Sequence, residues 1–253
     1  MPAPVNQAAP PPVDGWLARL GRVVCRPRCL VCSEPGDGGR DLCPACATVL
    51  PWLRAACTTC ALPLATARTV PDAPGAMVAC GACLEAPPPL AAAHAAFLYA
   101  FPVDRLLRRF KFHHDLAAGR LLADTMVDAF ASLPMPDALV PVPLHVRRLR
   151  SRGYDQAREL ARPLAEALGV PLRAGLLRRS RETAPQSALD AEARRGNVRG
   201  AFRAAAAGSG AIPAHVVLVD DVMTTGATLH AAARALRRAG VARVDAWVCA
   251  RVP

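Results

Sequence analysis

The chain has 253 residues, of which 53% are hydrophobic, so it can bury a sizeable core in one domain or two. Its formal net charge of +11 predicts anionic ligands, which are phosphorylated small molecules, nucleic acid or both. The proline- and alanine-rich N-terminus has no signal-peptide pattern and the apolar runs are too short to cross a bilayer, so we expect a cytoplasmic protein with reduced thiols and no membrane insertion.

The chain begins with a tail and a cysteine-rich segment. Residues 1–22 are predicted as a disordered or short helical tail, and residues 23–90 as a metal-binding module that ends in the prolines at 87–89. Nine of the ten cysteines lie in this module. Eight of them form Cys-x-x-Cys pairs, namely Cys29 and Cys32, Cys43 and Cys46, Cys57 and Cys60, and Cys80 and Cys83.

Four pairs with the same inner spacing predict two zinc ribbons. Each pair forms a tight knuckle, and two knuckles complete a tetrahedral four-cysteine site. Disulfides or buried free thiols are disfavoured in a reducing compartment. Sequential pairing and a cross-braced pairing, in which the first and third knuckles share a metal, both remain open. Either site would be closed, so the zinc is predicted to be structural and not catalytic.

Residues 91–253 alternate between strand and helix patterns, which predicts an α/β domain with a mainly parallel sheet flanked by helices. One helix is expected to start at the N-cap Asp155, to stop at Gly169 and to kink at Pro163. His113 and His114 are predicted as a loop-to-helix junction. The predicted helices span 116–130, 155–168 and 229–239, and the predicted strands span 138–144, 172–177, 215–219 and 241–252.

The segment 215–229 has the most specific pattern in this domain. An apolar run leads into Asp220 and Asp221 and then into a threonine- and glycine-rich turn, which aims backbone N–H groups and a helix start at one point and so suits a phosphate. In a nucleotide hydrolase the acids would hold Mg²⁺. Such proteins also need a glycine-rich loop ending in Lys-Ser/Thr, and the only lysine, Lys111, lies between two phenylalanines. A solvated turn without a role is the remaining alternative.

This segment resembles the phosphoribosyl pyrophosphate motif of type I phosphoribosyltransferases, in which four apolar residues, two acids and a Thr-Gly-x-Thr turn follow in that order. The resemblance implies that Asp220 and Asp221 bind the ribose hydroxyls and are catalytic, because they stabilise an oxocarbenium-like transition state. It also implies phosphoribosyl pyrophosphate with Mg²⁺ as the ligand. The residues that would wrap the 5-phosphate are Thr224, Thr225, Gly226, Ala227 and Thr228.

A second motif follows the predicted strand 138–144. Pro-Val-Pro-Leu-His at 141–145 leads into an arginine-rich run that ends at Gln156. Arginine binds phosphate oxygens bidentately, so this run is predicted as a loop on the pyrophosphate side of the site, with a solvated basic face as the alternative for any one arginine. The predicted contacts are His145, Arg147, Arg148 and Arg152.

Together with the cysteine pairs and Arg-Glu-Thr-Ala-Pro-Gln at 181–186, these motifs resemble those of the ComF family, whose members join an N-terminal double zinc ribbon to a type I phosphoribosyltransferase-like domain. The resemblance implies a mobile loop at 178–200 that closes over the substrate, with Arg181 as a catalytic contact. It associates the chain with DNA uptake in natural transformation. The implied partners are phosphoribosyl pyrophosphate, and single-stranded DNA or a DNA-uptake helicase.

Three functions are therefore open. The leading hypothesis is transfer of the phosphoribosyl group to an acceptor that the sequence does not identify. The second is a non-catalytic protein whose basic domain binds single-stranded DNA, which the aromatic content of 4% disfavours because single-strand grooves stack bases on rings. The third is a sensor of phosphoribosyl pyrophosphate that performs no chemistry.

Overall fold

The computed structural model describes residues 27–64, 78–180, 200–205 and 211–253, so the predicted tail lies outside the described residues. The chain divides into two compact units, residues 1–49 and residues 50–253. In the first unit, helix α1 (Pro44–Thr48) begins after Cys43, whose sulfur accepts the N–H of Cys46. Pro44 suits the first helical position, because an N–H there would have no partner within the helix.

The second unit is built on a parallel sheet. In chain order, the strands are β1 (Ala93–Leu98), β2 (Ala138–Pro141), β3 (Leu177–Arg179), β4 (Phe202–Ala204), β5 (His215–Met223) and β6 (Arg243–Arg251). The sheet has the order β1-β6-β5-β2 with every neighbouring pair parallel, whereas β3 and β4 form a separate antiparallel pair. The predicted mainly parallel sheet is confirmed.

Helices cover both faces of this sheet, which explains why residues 216–219 of β5 are all apolar and fully buried. The helices are α2 (Gly81–Glu85), α3 (Val103–Phe112), α4 (Leu116–Phe130), α5 (Val146–Arg152), α6 (Gln156–Leu168) and α7 (Ala227–Arg238). On one face, Leu218 packs in a cluster with Leu236 of α7. On the other face, Trp247 stacks on Phe130 of α4 with 5.1 Å between ring centroids, and α6 packs beside α4.

The helix signals in the sequence are borne out where caps are present. Helix α4 has the predicted bounds, and α6 is capped by Asp155 and ends at Gly169, which is left-handed with a φ of 66°. Pro163 lies inside α6 and removes one backbone hydrogen bond, yet α6 continues through it. Leu160 and Leu164, on either side of it, are fully buried, so packing holds the helix together.

Two strands differ from their predicted lengths because of their neighbours. β5 runs past the predicted end at residue 219, since it pairs with β6 as far as Met223. β2 ends at Pro141 instead of residue 144. Val142 donates one more N–H, to the Val219 carbonyl, and the following Pro143 has no N–H to donate.

Two further predictions are wrong in detail. The predicted strand 172–177 does not form: Leu172 makes a single bridge with Leu139, and Leu177 begins β3. The arginine-rich run forms helix α5 instead of a loop, because His145 caps its first turn and Gly153, with a φ of 76°, ends it. Among the described residues, no helix is both long enough and apolar enough to cross a membrane.

Candidate functional site at the carboxyl edge of the sheet

The acid pair lies at the carboxyl edge of the sheet, where its parallel strands end. β2 stops opposite Val219, so Asp220 and Asp221 extend past its end, while pairing with β6 continues to Met223. The Asp221 N–H donates to Asp220 Oδ1 at 2.9 Å. Both acids therefore lie within a hydrogen-bonded strand, which fixes their backbone more firmly than the predicted position at a strand end.

Lys111, to which the sequence assigned no role in the site, is part of this acidic cluster. Its Nζ lies 2.9 Å from Asp221 Oδ2, and both side chains are largely buried. Burial by itself lowers the pKa of Lys111, but the charge and hydrogen bond of Asp221 and the charge of Asp220 raise it overall. The signal that could have pointed to this residue is its uniqueness: it is the single lysine among 31 basic residues.

Asp220 has the most perturbed carboxyl group of the cluster. Burial, followed by the charge of Asp221, raises the pKa of Asp220 to about 8. The nearby Asp155 adds to this effect and is itself raised in pKa, mainly by burial. The raised pKa favours the protonated form of Asp220 near neutral pH, and the Asp221 side chain faces Lys111. Adjacent acids with a raised pKa are typical of sites that bind hydroxyls or cations.

The predicted phosphate turn begins directly after β5. Helix α7 starts at Ala227, and Gly226 is its N-cap with a φ of 75°. The Ala227 N–H lies 3.4 Å from Thr225 Oγ1. The turn, the helix start and the acid pair therefore share one edge of the sheet, with the positive end of the α7 dipole at the turn.

Only glycine fits position 226. Its positive φ disfavours any residue with a side chain, and a Cβ there would lie 2.7 Å from Met223 Cε and 2.9 Å from His230 Nε2. Burial, with the charges of Arg234 and Arg251, lowers the pKa of His230 to about 4, so this imidazole is neutral beside the turn. Met223 and His230 therefore pack closely against the turn at Gly226.

Of the predicted pyrophosphate contacts, Arg152 lies near Lys111 of the acid cluster. Arg152 donates to Gln156 Oε1 at 2.9 Å and influences the pKa of Lys111. His145 and Arg147 lie at the start of α5, where the Arg147 N–H faces His145 Nδ1 at 3.4 Å and the Arg147 side chain is exposed. Arg181 lies outside the described residues.

Arg179, at the end of β3, is a cation that the sequence did not single out. Its guanidinium lies over the Phe202 ring at 5.3 Å from the centroid. Burial, together with the charge of Arg148, lowers its pKa, and the charge of Asp220 opposes that shift. Arg179 is therefore close enough to Arg148 and to Asp220 for both charges to affect its pKa, and its strand is held by the pairing with β4.

The eight paired cysteines form two separate tetrads. The sulfurs of each lie within 4.8 Å of one another; the first tetrad is Cys29, Cys32, Cys43 and Cys46, and the second is Cys57, Cys60, Cys80 and Cys83. The sequential pairing is confirmed. The Sγ–Sγ distances are 3.6 Å for Cys32 and Cys43 and 3.7 Å for Cys60 and Cys80. Zinc with Zn–S bonds of about 2.3 Å separates tetrahedral sulfurs by about 3.8 Å, so both tetrads fit structural zinc.

Thiol protonation also suits a metal. Although burial opposes it, backbone N–H groups of Cys43, Cys32 and Val31 lower the pKa of Cys29 to about 6, and those of Cys80, Thr59 and Cys60 do the same for Cys57. Burial raises the pKa of Cys46 and of Cys83. Without a cation each tetrad resists a full set of thiolates, and a bound zinc supplies the missing positive charge.

Comparison with protein families agrees with both parts of this description. Residues 21–84 match a double zinc ribbon domain, and residues 151–253 match a phosphoribosyl transferase domain. The fold and the metal sites thus define a phosphoribosyltransferase-type α/β protein that carries a double zinc ribbon.

Comparison with individual proteins narrows the class to one family. The chain is 36% identical over 230 residues to "DNA utilization protein YhgH" of Salmonella typhi, a match that covers 88% of this chain and 96% of that protein. It is 36% identical to "Competence protein F" of Haemophilus influenzae, covering 68% and 78% of the two chains, and 31% identical to "Competence protein ComFC" of Bacillus subtilis, covering 58% of each. The chain belongs to the ComF family.

Proposed function

We propose that this protein binds phosphoribosyl pyrophosphate with Mg²⁺ and transfers the phosphoribosyl group to an acceptor. The observation that carries the proposal is the placement of Asp220 and Asp221, the Gly226 turn and the start of α7 at one edge of the sheet. The acids suit the two ribose hydroxyls, and the turn suits the 5-phosphate. The proposed phosphate contacts are Thr224, Thr225, Gly226, Ala227 and Thr228.

The proposed chemistry uses the acid pair for charge stabilisation. The bond between the ribose C1 and the pyrophosphate oxygen breaks, C1 bonds to the acceptor, and the acceptor loses a proton. Positive charge develops on the ring, so carboxylates at Asp220 and Asp221 stabilise the transition state more than the ground state. Because burial and the charge of Asp221 raise the pKa of Asp220 to about 8, we propose that Asp220 releases its proton to solvent when the ribose hydroxyls donate to the pair.

The departing pyrophosphate requires positive charge. Mg²⁺ supplies part of this charge when it is bound with the ligand. The chain supplies the rest from basic side chains around the acids, and we propose that Arg181, which follows β3 in the chain, completes the set. The other proposed pyrophosphate contacts are the sequence-derived His145, Arg147, Arg148 and Arg152, and the structure-derived Lys111 and Arg179.

The biological setting is proposed from the relatives. Their names refer to the use of DNA and to competence, so we propose that this protein acts in the uptake or use of DNA, with single-stranded DNA or a DNA-uptake helicase as partner. We place it in the cytoplasm, where reduced thiols are available for both tetrads.

Calorimetric titration of phosphoribosyl pyrophosphate with Mg²⁺ tests the proposal. The wild type is expected to bind, and an Asp220→Asn/Asp221→Asn variant is expected to lose measurable binding. No heat with the wild type, or equal affinity in the variant, would refute it. If phosphoribosyl pyrophosphate bound tightly but addition of common nucleobases released no pyrophosphate, the hypothesis of a sensor that performs no chemistry would be favoured instead.

A second candidate function, binding of single-stranded DNA, is favoured by two exposed rings. Phe101 and Phe112 are 60% and 63% exposed, and Arg105 and Arg152 lie over them at 5.1 Å and 5.5 Å from the centroids. Exposed rings among arginines are typical of surfaces that stack bases beside a phosphate backbone.

Salt-dependent binding of a fluorescent oligothymidine tests this candidate. Substitution of both rings, Phe101→Ala/Phe112→Ala, is expected to weaken DNA binding while the double Asp→Asn variant retains it, because base stacking requires the rings and not the carboxylates. If the acid substitutions abolished DNA binding and the ring substitutions did not, the DNA would occupy the sugar site.

A further inference from the structure

The second tetrad is joined to the sheet, within the same compact unit. The segment that carries its first two cysteines is hydrogen-bonded to the edge strand β1: the Leu53 N–H donates to the Ala96 carbonyl at 3.0 Å, and the Ala93 N–H donates to the Thr58 carbonyl at 2.9 Å. Trp52 packs against Phe97 with 4.5 Å between ring centroids and 41° between ring planes. This ribbon therefore extends the α/β domain at its β1 edge.

One buried side chain connects the second tetrad with the phosphate turn. Arg251, the last residue of β6, is 8% exposed. Its Nε donates to the carbonyl of Cys60, a member of the tetrad, at 3.0 Å. Its Nη1 donates to the carbonyl of Met223, the last residue of β5, at 3.3 Å, and also to the carbonyl of Val252.

Met223 connects the hydrogen bond from Arg251 with the phosphate turn. Its carbonyl also accepts the Val252 N–H at 3.0 Å, and its side chain fills the space under Gly226. His230, on the other side of Gly226, lies close enough to Arg251 for the charge of that arginine to depress its pKa. The Arg251 guanidinium thus holds the end of β5 directly, and the turn packs against that end through Met223.

We propose that Arg251 is a positioning residue through which zinc in the second tetrad sets the geometry of the 5-phosphate turn. Zinc fixes the Cys60 backbone through its sulfur, and the Cys60 carbonyl fixes Arg251, which holds the carbonyl from which the turn starts. Phosphoribosyl pyrophosphate affinity accordingly depends on zinc in the second tetrad and not on zinc in the first. The inference rests on the proposed function for its ligand.

A matched pair of cysteine variants tests this asymmetry. Cys83→Ser and Cys46→Ser remove the last ligand of the second and of the first tetrad, and zinc analysis confirms the loss in each. Cys83→Ser is expected to weaken calorimetric binding of phosphoribosyl pyrophosphate with Mg²⁺ about tenfold or more, as expected for lost bonds to a charged donor, while Cys46→Ser stays within about twofold. Equal losses in the two variants would overturn the proposal.

Arg251 variants test the connection itself. Arg251→Met is expected to weaken binding about as much as Cys83→Ser, and the double variant to add little, because both act through one path. Arg251→Lys keeps the charge without the planar fork that reaches two carbonyls, and is expected to recover only part of the affinity. Full additivity in the double variant would contradict the inference.

Hydrogen exchange at the amides of residues 224–230 provides a readout that needs no ligand. Cys83→Ser and Arg251→Met are expected to speed exchange there, and Cys46→Ser is not. If the wild type fails to bind phosphoribosyl pyrophosphate, the proposed function fails, but this exchange pattern still decides whether the connection exists. Thermal unfolding of each variant identifies any that has lost the fold, and Arg251→Lys then carries the test. Unchanged exchange in folded variants would refute the connection.

Discussion

Two clusters of charged side chains lie at opposite edges of the same sheet. At the amino edge, the buried carboxylate of Asp245 lies 2.8 Å from His215 Nε2 and accepts from Arg243 Nε at 3.0 Å. At the carboxyl edge, Asp220 and Asp221 are adjacent, and Lys111 pairs with Asp221. The first cluster has one acid between two basic partners, whereas the second has two acids that repel each other until one is protonated.

This contrast indicates that the charged groups that stabilise the fold lie at one edge of the sheet, and that the groups we propose to bind a ligand lie at the other. A buried carboxylate with its hydrogen bonds made has little to gain from a ligand, and it holds neighbouring strands together. A pair of acids held close by a strand, one of them with a strongly raised pKa, gains from hydroxyls and cations that approach it. The substitutions below test whether the two edges are as separate as this comparison implies.

The largest expected effect comes from the same substitution at each edge. Asp221→Asn removes a ribose acceptor and leaves the buried ammonium of Lys111 without its partner, so affinity for phosphoribosyl pyrophosphate with Mg²⁺ is expected to fall about 100-fold or more. Asp245→Asn is expected to lower the free energy of unfolding by about 1–3 kcal/mol and to leave affinity within about twofold. Calorimetry and urea unfolding measure both. A similar loss of affinity in the two variants would contradict the assignment of binding to the carboxyl edge and of stability to the amino edge.

The pH dependence of the carboxyl edge is the next effect. The pKa of Asp220 is about 8 in the folded protein against an ordinary value of 3.8. The folded state therefore keeps a proton that the unfolded chain has lost, and the stabilisation from this group, complete below about pH 4, declines as the pH rises and is lost by about pH 8. Ligand affinity is expected to change in the opposite direction, rising by up to about tenfold per pH unit toward pH 8, because binding requires the ionised pair.

Unfolding and calorimetry across pH 5–8 check both slopes. Asp220→Asn has no proton to lose, so its unfolding free energy is expected to depend less on pH than that of the wild type. Asp245→Asn is expected to keep the wild-type slope. Parallel profiles for wild type and Asp220→Asn would show that another group is responsible.

The smallest expected effect compares two left-handed glycines. Gly226 lies at the carboxyl edge and Gly169, at the end of a helix that runs back from β2, at the amino edge, with φ of 75° and 66°. A Cβ at 169 has no atom within 4 Å, whereas at 226 it overlaps Met223 and His230. Gly169→Ala is expected to lower the free energy of unfolding by about 1 kcal/mol, and Gly226→Ala by about 1 kcal/mol more, since the Met223 methyl that a Cβ would meet is the end of a flexible side chain. Equal losses in urea unfolding would mean that the turn relaxes freely.

Local signals in the sequence predicted much of the fold. The caps Asp155 and Gly169 bound their helix as expected, since capping depends on neighbours within one turn. The cysteine spacing predicted the knuckles for the same reason, but their pairing required coordinates, because either arrangement satisfies the same local geometry. The arginine run was predicted as a loop although its cap, His145, and its end, Gly153, are both visible in the sequence.

The candidate site also has parts that the sequence predicted and parts that only the coordinates show. The sequence alone indicated its class and central motif, because the acid pair and the glycine turn, which we propose to bind one sugar phosphate, are contiguous in the chain. Tertiary structure decided the remainder: β6 extends β5 through the acids, α3 brings Lys111 to Asp221, and the pairing of β3 with β4 places Arg179 near Asp220. It also placed Arg251 between the second tetrad and the turn, 191 residues after Cys60. Such contacts join distant segments, and their energies depend on burial that no local pattern contains.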